Sequence, residues 1–482
     1  MKKPNILFAI ADDASHFGAY GHKLVNTPVV DALAAEGILF NNAFTVNPKC
    51  APSRASILTG KLTWQLESGC THFCEFPTGQ ILFPDLLEDN GYHIGYTGKG
   101  WGPGDFTVSG YTRNPAGVEY NTKTLTPPAG SNISKIDYAA NFKVFMDAKT
   151  ADQPFYFWYG GFEPHRKYNE GEGILHGKDP ADVKVPIYLP DNDRVRGDFC
   201  DYAFEIDWFD LQLGKIVDYL KEIGEYDNTI IVVTSDNGCP FPRVKGQMYE
   251  DDLRLPLIIT WKNGTAGGRV VDDLVSFIDF APTFAQAAGV KKPESFCGKS
   301  LFDIFESNNS GVINSTRDRV FMGRERHDMG RVNDTGYPVR CIRTPQYLYI
   351  HNYHPFAAPA GNAETGYPNC DPSPSKEEIL LLHAKNNNIY YNLSFGLRPE
   401  EQLFDIKVDS ACMENLAYEE SFAEIKTALR RELDAQLIAT NDPRSNGNGD
   451  IFDSYAYVGK APHAWFRLED KYKEWLSKER NK

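Results

Sequence analysis

The chain is expected to fold as an α/β protein: a large mixed, mostly parallel sheet sandwiched by helices, followed by a smaller C-terminal α+β part with an antiparallel sheet. Three observations predict this. Short apolar runs alternate with segments of helical period through the first two thirds of the sequence. Two of those runs end abruptly in acidic residues. Past Arg331 the alternation stops, and two strand-like segments follow each other across a short turn.

Taken in order, Asn5 to Ala11 reads as a buried strand that ends on Asp12-Asp13. Thr27 and Pro28 open a helix through Val29, Leu33 and Ala34, as N-cap and first helical residue, and Gly37 closes it. Ile38 to Phe44 reads as the next strand, Pro52 to Leu58 and Phe83 to Leu87 as helices, and His93 to Thr97 and Pro154 to Gly160 as strands. Between Phe199 and Ile223, a stripe of Tyr202, Ile206, Phe209, Leu213, Ile216 and Leu220 predicts a long amphipathic helix ended by Gly224. Asn228 to Thr234 is a strand running into Ser235-Asp236-Asn237-Gly238. Leu255 to Trp261 is another strand, and Ala281 to Ala288 a helix. Pro338 to Arg343 and Tyr347 to Asn352 pair about Thr344-Pro345. Residues 357–375 read as loop, with helices near Lys376 to Ala384 and Ser421 to Ile438. The expected division is a large unit over 1–332 and a smaller one over 333–482.

Composition narrows the function classes. A net charge of −15 argues against broad nucleic-acid binding, which needs a basic surface. It leaves room for an anionic small substrate in a locally positive pocket. No apolar run is long enough to span a bilayer. The nine cysteines form no zinc spacing; Cys70 and Cys74 are the one close pair, read as free thiols or a local bridge. No signal peptide precedes the first strand, so the chain is cytosolic or its leader was removed before this numbering begins.

Open α/β sheets place their sites at the carboxyl ends of strands. Asp12, Asp13, Asp236 and Asn237 stand at two such ends. Singly, the first pair reads as a helix cap and the second as a turn. Together, three carboxylates and an amide oxygen make a hard oxygen site suited to Ca²⁺ or Mg²⁺. Cys50-Ala51-Pro52-Ser53-Arg54, followed by Leu58-Thr59-Gly60, fits a Cys-x-Pro-Ser-Arg pattern. Outside that frame, Cys50 would read as a small buried hydrophobe and Arg54 as a surface charge.

This pattern resembles the signature of the type I sulfatases, members of the alkaline phosphatase superfamily. The likeness extends over nearly the whole chain, through Pro4-Asn5-Ile6-Leu7, Gly95-Tyr96-Thr97-Gly98-Lys99, Glu163-Pro164-His165, Thr234-Ser235-Asp236-Asn237-Gly238 and Ile342-Arg343-Thr344-Pro345. The resemblance implies an alkaline-phosphatase-like fold and conversion of Cys50 to formylglycine by a separate maturation enzyme. It implies Ca²⁺, with Mg²⁺ second, bound by Asp12, Asp13, Asp236, Asn237 and the modified Cys50. It further implies that Arg54 holds the formylglycine, that Lys99 and Lys245 grip the sulfate, and that His165 serves the leaving group. The implied substrate is a sulfate ester or sulfamate on a glycosaminoglycan or mucin-type sugar, attacked at its end, and the implied compartment is periplasmic or extracellular. Cys239-Pro240-Phe241-Pro242, with Lys245 beyond, looks most like the heparan N-sulfatase branch of the family.

One departure stands out. Many relatives carry a histidine two residues after the lysine, in contact with the formylglycine; here Trp101 occupies that place. His16 and His72 are the substitutes to weigh. The candidate sugar contacts are Trp101, His72, Arg166, Arg326 and His327, since aromatic faces stack on pyranose rings and Arg binds anions in bidentate fashion. Two rival readings remain: a phosphodiesterase or phosphonate hydrolase of the same superfamily, and a non-catalytic glycan-binding relative.

Overall fold

The structure, a computed structural model, describes residues 2–328, 331, 335–361, 369–459, 474 and 477. Its centre is β1 (Asn5–Ala11), buried along its whole length because it serves two cores. Leu7, Ala9 and Ala11 face one apolar layer, and Ile6, Phe8 and Ile10 the other. Burial on both faces is why this strand reads as an unbroken apolar run and not as an alternating one.

The remaining strands of the first unit are β2 (Ile38–Phe44), β3 (Cys74–Glu75), β4 (His93–Gly98), β5 (Gly104–Asp105), β6 (Val118–Glu119), β7 (Phe155–Gly160), β8 (Thr229–Ser235), β9 (Arg254–Thr260), β10 (Arg269–Val271) and β11 (Val275–Ser276). The main sheet runs β10-β2-β9-β8-β1-β7-β4-β6, with β11 also on β2. β9 is antiparallel to both of its neighbours. The other pairings in this sheet are parallel. β3 and β5 form a separate short ladder.

The helices of this unit are α1 (Pro28–Glu36), α2 (Cys50–Thr59), α3 (Phe83–Asp89), α4 (Tyr138–Ala148), α5 (Glu172–Leu175), α6 (Asp193–Glu222), α7 (Glu250–Leu253), α8 (Phe280–Ala287) and α9 (Phe302–Phe305). α1, α4 and α6 cover one face of the sheet, through Val30, Leu33, Phe142 and the Tyr202 to Leu220 stripe. α2, α3 and α8 cover the other, through Ile57, Leu58, Phe83 and Phe284. α6 begins earlier than its apolar stripe predicts, because the Asn192 side chain accepts the Val195 N–H at 3.1 Å and caps a polar first turn.

The second sheet is antiparallel, in the order β12 (Val320–Arg324), β13 (Val339–Arg343), β14 (Tyr347–Asn352) and β15 (Glu401–Asp405). Around it lie α10 (Pro374–Ala384), α11 (Ile389–Phe395), α12 (Ala423–Ala439) and α13 (Ile451–Ser454). One face packs Met322, Cys341 and Ile350 against Phe44, Met248 and Leu253 of the first unit. The other packs Ile342, Tyr349 and Leu403 under Leu429, Leu433 and Leu437 of α12. A buried Arg343–Glu250 pair at 2.8 Å ties the second sheet to α7. β12 thus lies before the division expected at residues 332 and 333 yet belongs to the second sheet. We propose that the C-terminal unit begins with β12. Part of the expected 357–375 loop, residues 362–368, lies outside the described residues.

All nine cysteines are free, Cys70 and Cys74 included. Among the described residues, no helix is long and apolar enough to cross a membrane.

Candidate active site

β2, β8, β1, β7 and β4 run in one direction, so their carboxyl ends share one edge of the sheet. Ala11 pairs with Ser235, which sets Asp12 beside Asp236. Asp13 turns the chain in the left-handed region, at φ +75°, a conformation Asp tolerates better than bulky residues do. Its N–H donates to Asp236 Oδ1 at 3.2 Å, and Asn237 Nδ2 donates to Asp13 Oδ1 at 2.7 Å.

β2 leads through residues 45–49 into α2, whose first residue is Cys50. Thr45 Oγ1 donates to Ser53 Oγ at 2.9 Å, so the serine of the motif anchors the first turn. Arg54 stands on α2 one turn beyond Cys50. Its Nε donates to Asp236 Oδ2 at 2.7 Å, and its Nη1 to the carbonyls of Lys99 and Gly100 at 2.8 and 3.0 Å. Gly60 ends α2 at φ +61°, the left-handed cap that glycine adopts without penalty.

β4 delivers Lys99 through a tight bend. Gly98 has φ +74°, and a Cβ there would sit 2.0 Å from the Gly160 carbonyl, so only glycine fits. Lys99 N donates to that same carbonyl at 2.7 Å, and Lys99 Nζ reaches Asp12 Oδ2 at 2.5 Å. β7 delivers Glu163-Pro164-His165. Glu163 accepts from Ser134 N and Tyr138 OH at 2.9 and 2.8 Å, which fixes the turn. His165 Nδ1 lies 2.5 Å from the Arg166 carbonyl, and the ring groups with Asp12 and Asp13. Lys245 Nζ bridges Asp13 Oδ2 at 2.7 Å and Asp371 Oδ2 at 2.9 Å.

His72 Nε2 lies 3.3 Å from Cys50 Sγ, and His72 Nδ1 lies 2.6 Å from Asp328 Oδ1. Asp328 also accepts from Tyr457 OH at 3.2 Å and lies 3.5 Å from Lys49 Nζ. Of the two histidines weighed from the sequence, His72 is the one against Cys50. His16 packs on His22 and bonds Tyr202 OH at 3.1 Å.

The charges shape one another. Burial opposes ionisation of Cys50, but Lys99 and His72 overcome it and bring the thiol down to about 5. Burial likewise opposes a charged His72, yet Asp328 and the Cys50 thiolate of the unconverted protein lift it to about 9. Burial would raise Asp12, but Lys99, His165, Arg54 and Lys245 hold it well below the usual range. Burial and the Asp12 charge push Asp236 well above it, against Arg54 and Lys99. Two neighbouring carboxylates at opposite extremes are the mark of like charges sharing one site.

The donors fit a divalent cation. Ligand atoms of Asp12, Cys50 and Asp236 lie within 4.8 Å of one another, as do those of Asp12, Asp13 and His165. Asp12 Oδ1 and Asn237 Oδ1 are buried and accept no hydrogen bond, so both have lone pairs to give. Carboxylate and amide oxygens in this number suit Ca²⁺ or Mg²⁺ and not a soft metal.

Four expected sugar contacts are corrected. Trp101 is 4% exposed; its ring packs edge-on against Phe76 and its Nε1 donates to the Ala51 carbonyl, so it is a pillar beneath α2. Arg166 spends its fork on Asp198, at 2.6 and 2.9 Å, and its Nε on the Pro240 carbonyl. Arg326 holds the carbonyls of Asp453 and Tyr455. His327 is fully buried against Asn47. Sequence reading missed Lys49, Asp328 and Asp371. Asp328 directly follows the candidate contacts Arg326 and His327, and Lys49 directly precedes Cys50; Asp371 carries no pattern.

Residues 4–290 match the Sulfatase family. The chain belongs to that family. As a sulfatase it is a hydrolase of sulfuric esters, which accords with the cysteine, carboxylate and lysine arrangement at the sheet edge. Residues 244–358 match the C-terminal family of N-sulphoglucosamine sulphohydrolases. The sulfatase is 28% identical to human N-sulphoglucosamine sulphohydrolase, over 91% of each chain. It is 26% identical to an ulvan-active sulfatase of Formosa agariphila, over 92% of this chain and 76% of that one. Among solved structures, BT4656 in complex with its substrate D-glucosamine-2-N,6-O-disulfate aligns with a TM-score of 0.68 and 22% identity. That alignment covers 92% of this chain and all of the other, which shows a shared fold.

Proposed function

We propose that this sulfatase removes a sulfo group from a terminal N- or O-sulfated sugar of a glycosaminoglycan or mucin-type glycan, once Cys50 has become formylglycine. The single observation that carries the reading is Cys50 Sγ grouped with Asp12 and Asp236, with Lys99 bridging to the same carboxylate. The relatives support a carbohydrate substrate, since one acts on N-sulphoglucosamine and another on ulvan by name.

Asp12, Asp13, Asp236 and Asn237 would hold Ca²⁺. An all-protein cage with three carboxylates suits Ca²⁺ better than Mg²⁺, which keeps several waters and takes one or two carboxylates. When present, hydrated formylglycine supplies the hydroxyl nucleophile, and the cation offsets charge on the sulfate oxygens. Lys99 and Lys245, held beside Asp12 and Asp13, would present ammonium donors to those oxygens and stabilise charge that grows at the equatorial positions. Arg54 braces residue 50 from below. His165 stands ready to protonate the departing sugar oxygen or nitrogen. This reading places the enzyme where polysaccharides are dismantled, in the periplasm or outside the cell.

The test is a panel of defined sulfated mono- and disaccharides, an aryl sulfate and a phosphodiester, on protein made with a formylglycine-generating enzyme. Mass spectrometry of the Cys50 peptide measures conversion. Sulfate release from at least one sulfated sugar, with little phosphodiester cleavage, is the expected result. A fully converted sample that leaves every sulfated sugar intact would overturn the proposal.

A further inference from the structure

We infer that His72, oriented by Asp328, is the catalytic residue that takes the proton from residue 50 as sulfate is expelled. The inference rests on the proposed conversion of Cys50. Cβ of residue 50 would carry both oxygens of the hydrated aldehyde, one on the Asp12 and Asp236 side to attack and the other free to face His72. His72 Nε2 is 3.3 Å from Sγ, the single atom that Cβ carries before conversion. Asp328 Oδ1 is 2.6 Å from Nδ1, so the Nδ1 proton faces a carboxylate and Nε2 is left as the acceptor. Reacting atom, base and orienting carboxylate in series form the arrangement that general-base catalysis requires. Asp328 is itself fixed by Lys49 and Tyr457.

The other neighbours are committed elsewhere. Lys99 and Lys245 face Asp12 and Asp13. Arg54 has no lone pair to offer. Trp101 Nε1 donates to the Ala51 carbonyl, and an indole N–H accepts nothing. His165 lies on the Asp12 and Asp13 side of the site. Among the described residues, His72 is the imidazole in hydrogen-bond contact with Cys50.

The step balances as follows. Cleavage of the sugar–sulfate bond leaves Cβ of residue 50 carrying one hydroxyl and one sulfated oxygen. His72 Nε2 takes the hydroxyl proton, and the O–H electron pair becomes the second bond of the aldehyde. The bond from Cβ to the sulfated oxygen breaks with its pair on oxygen, and sulfate leaves as the dianion. The imidazolium then returns its proton to solvent, and water re-hydrates the aldehyde. No oxidant or reductant enters.

His72→Ala and His72→Gln, the latter keeping a polar contact, are compared with wild type, each expressed per converted chain. Because His72 acts after the sugar has left, kcat and KM should fall together by about 10²- to 10⁴-fold while kcat/KM stays near wild type. The sugar product should appear as one burst per enzyme. Mass spectrometry of the acid-quenched residue 50 peptide should show one added sulfo group that persists long after substrate is removed. Asp328 is a positioning residue: Asp328→Asn should slow decay of that adduct, and Asp328→Glu should recover part of the rate. Wild-type turnover in both His72 variants, or a fall in kcat/KM equal to that in kcat with no adduct, overturns the inference. A converted wild type showing neither turnover nor adduct sinks the proposed function and this inference with it.

Discussion

Arg54 Nε and Asp236 Oδ2 are joined at 2.7 Å with both side chains fully buried. Removing one partner strands the other. Arg54→Ala is expected to cost about 3–5 kcal/mol of stability, because it leaves a buried carboxylate uncompensated. Arg54→Lys keeps the charge but loses the fork that also holds the Lys99 and Gly100 carbonyls. It should lose less stability yet at least about 10²-fold in kcat. Urea unfolding and steady-state kinetics on converted protein check the pair.

Trp101 separates a pillar from a sugar platform. Trp101→Ala empties a site lined by Phe76 and the start of α2 and should cost about 3–5 kcal/mol. A direct stacking role would instead raise KM with little change in stability. Denaturation midpoints beside KM for a cleaved sugar distinguish the two outcomes.

Chelation should abolish turnover, and added Ca²⁺ should restore it more fully than Mg²⁺. Calcium at a hundred times its dissociation constant should add about 2.7 kcal/mol to folding stability. Asp13→Asn should weaken that gain even in unconverted protein. Thermal melting against calcium concentration reads it without any substrate.

His16 predicts an acid-side loss of stability. Burial, with His22 beside it, pushes its imidazole down to about 3. In the unfolded chain it titrates near the ordinary value of about 6.5. Its folded-state pKa is lower, so folding favours the neutral ring. That contribution is complete above about pH 6.5 and declines as the pH falls toward 3. His16→Gln should lose less stability than wild type between pH 7 and pH 4 in urea titrations at each pH.

Much of the frame was legible because the central strands are buried on both faces. β1 and β8 are continuous apolar runs that stop on acid, and both the pattern and the stop are local. The helix expected over Pro52 to Leu58 was legible too, through Pro52 in its first turn, although α2 begins two residues earlier at Cys50. The His72–Asp328 contact was not. It joins two irregular segments 256 residues apart, where no period constrains which side chains meet. Arg166, Arg326 and Trp101 were misjudged for a related reason. A large polar or aromatic side chain in a loop reads as exposed, and only the fold supplies the Asp198 carboxylate or the carbonyls that let it be buried. β12 was missed as a member of the second sheet because its partner β13 lies beyond a long connection.

All ten residues of α2 are buried, and Cys50 is 1% exposed. No second enzyme can reach that thiol once the sheet has closed over it. The conversion proposed for Cys50 would therefore have a deadline set by synthesis. At roughly 5–20 residues per second, the ribosome needs about ten to forty seconds to travel from Cys50 to Asp236, whose strand completes the floor of the site. On the proposed chemistry, a host whose oxidising machinery works more slowly than this would accumulate folded chains that still carry the thiol.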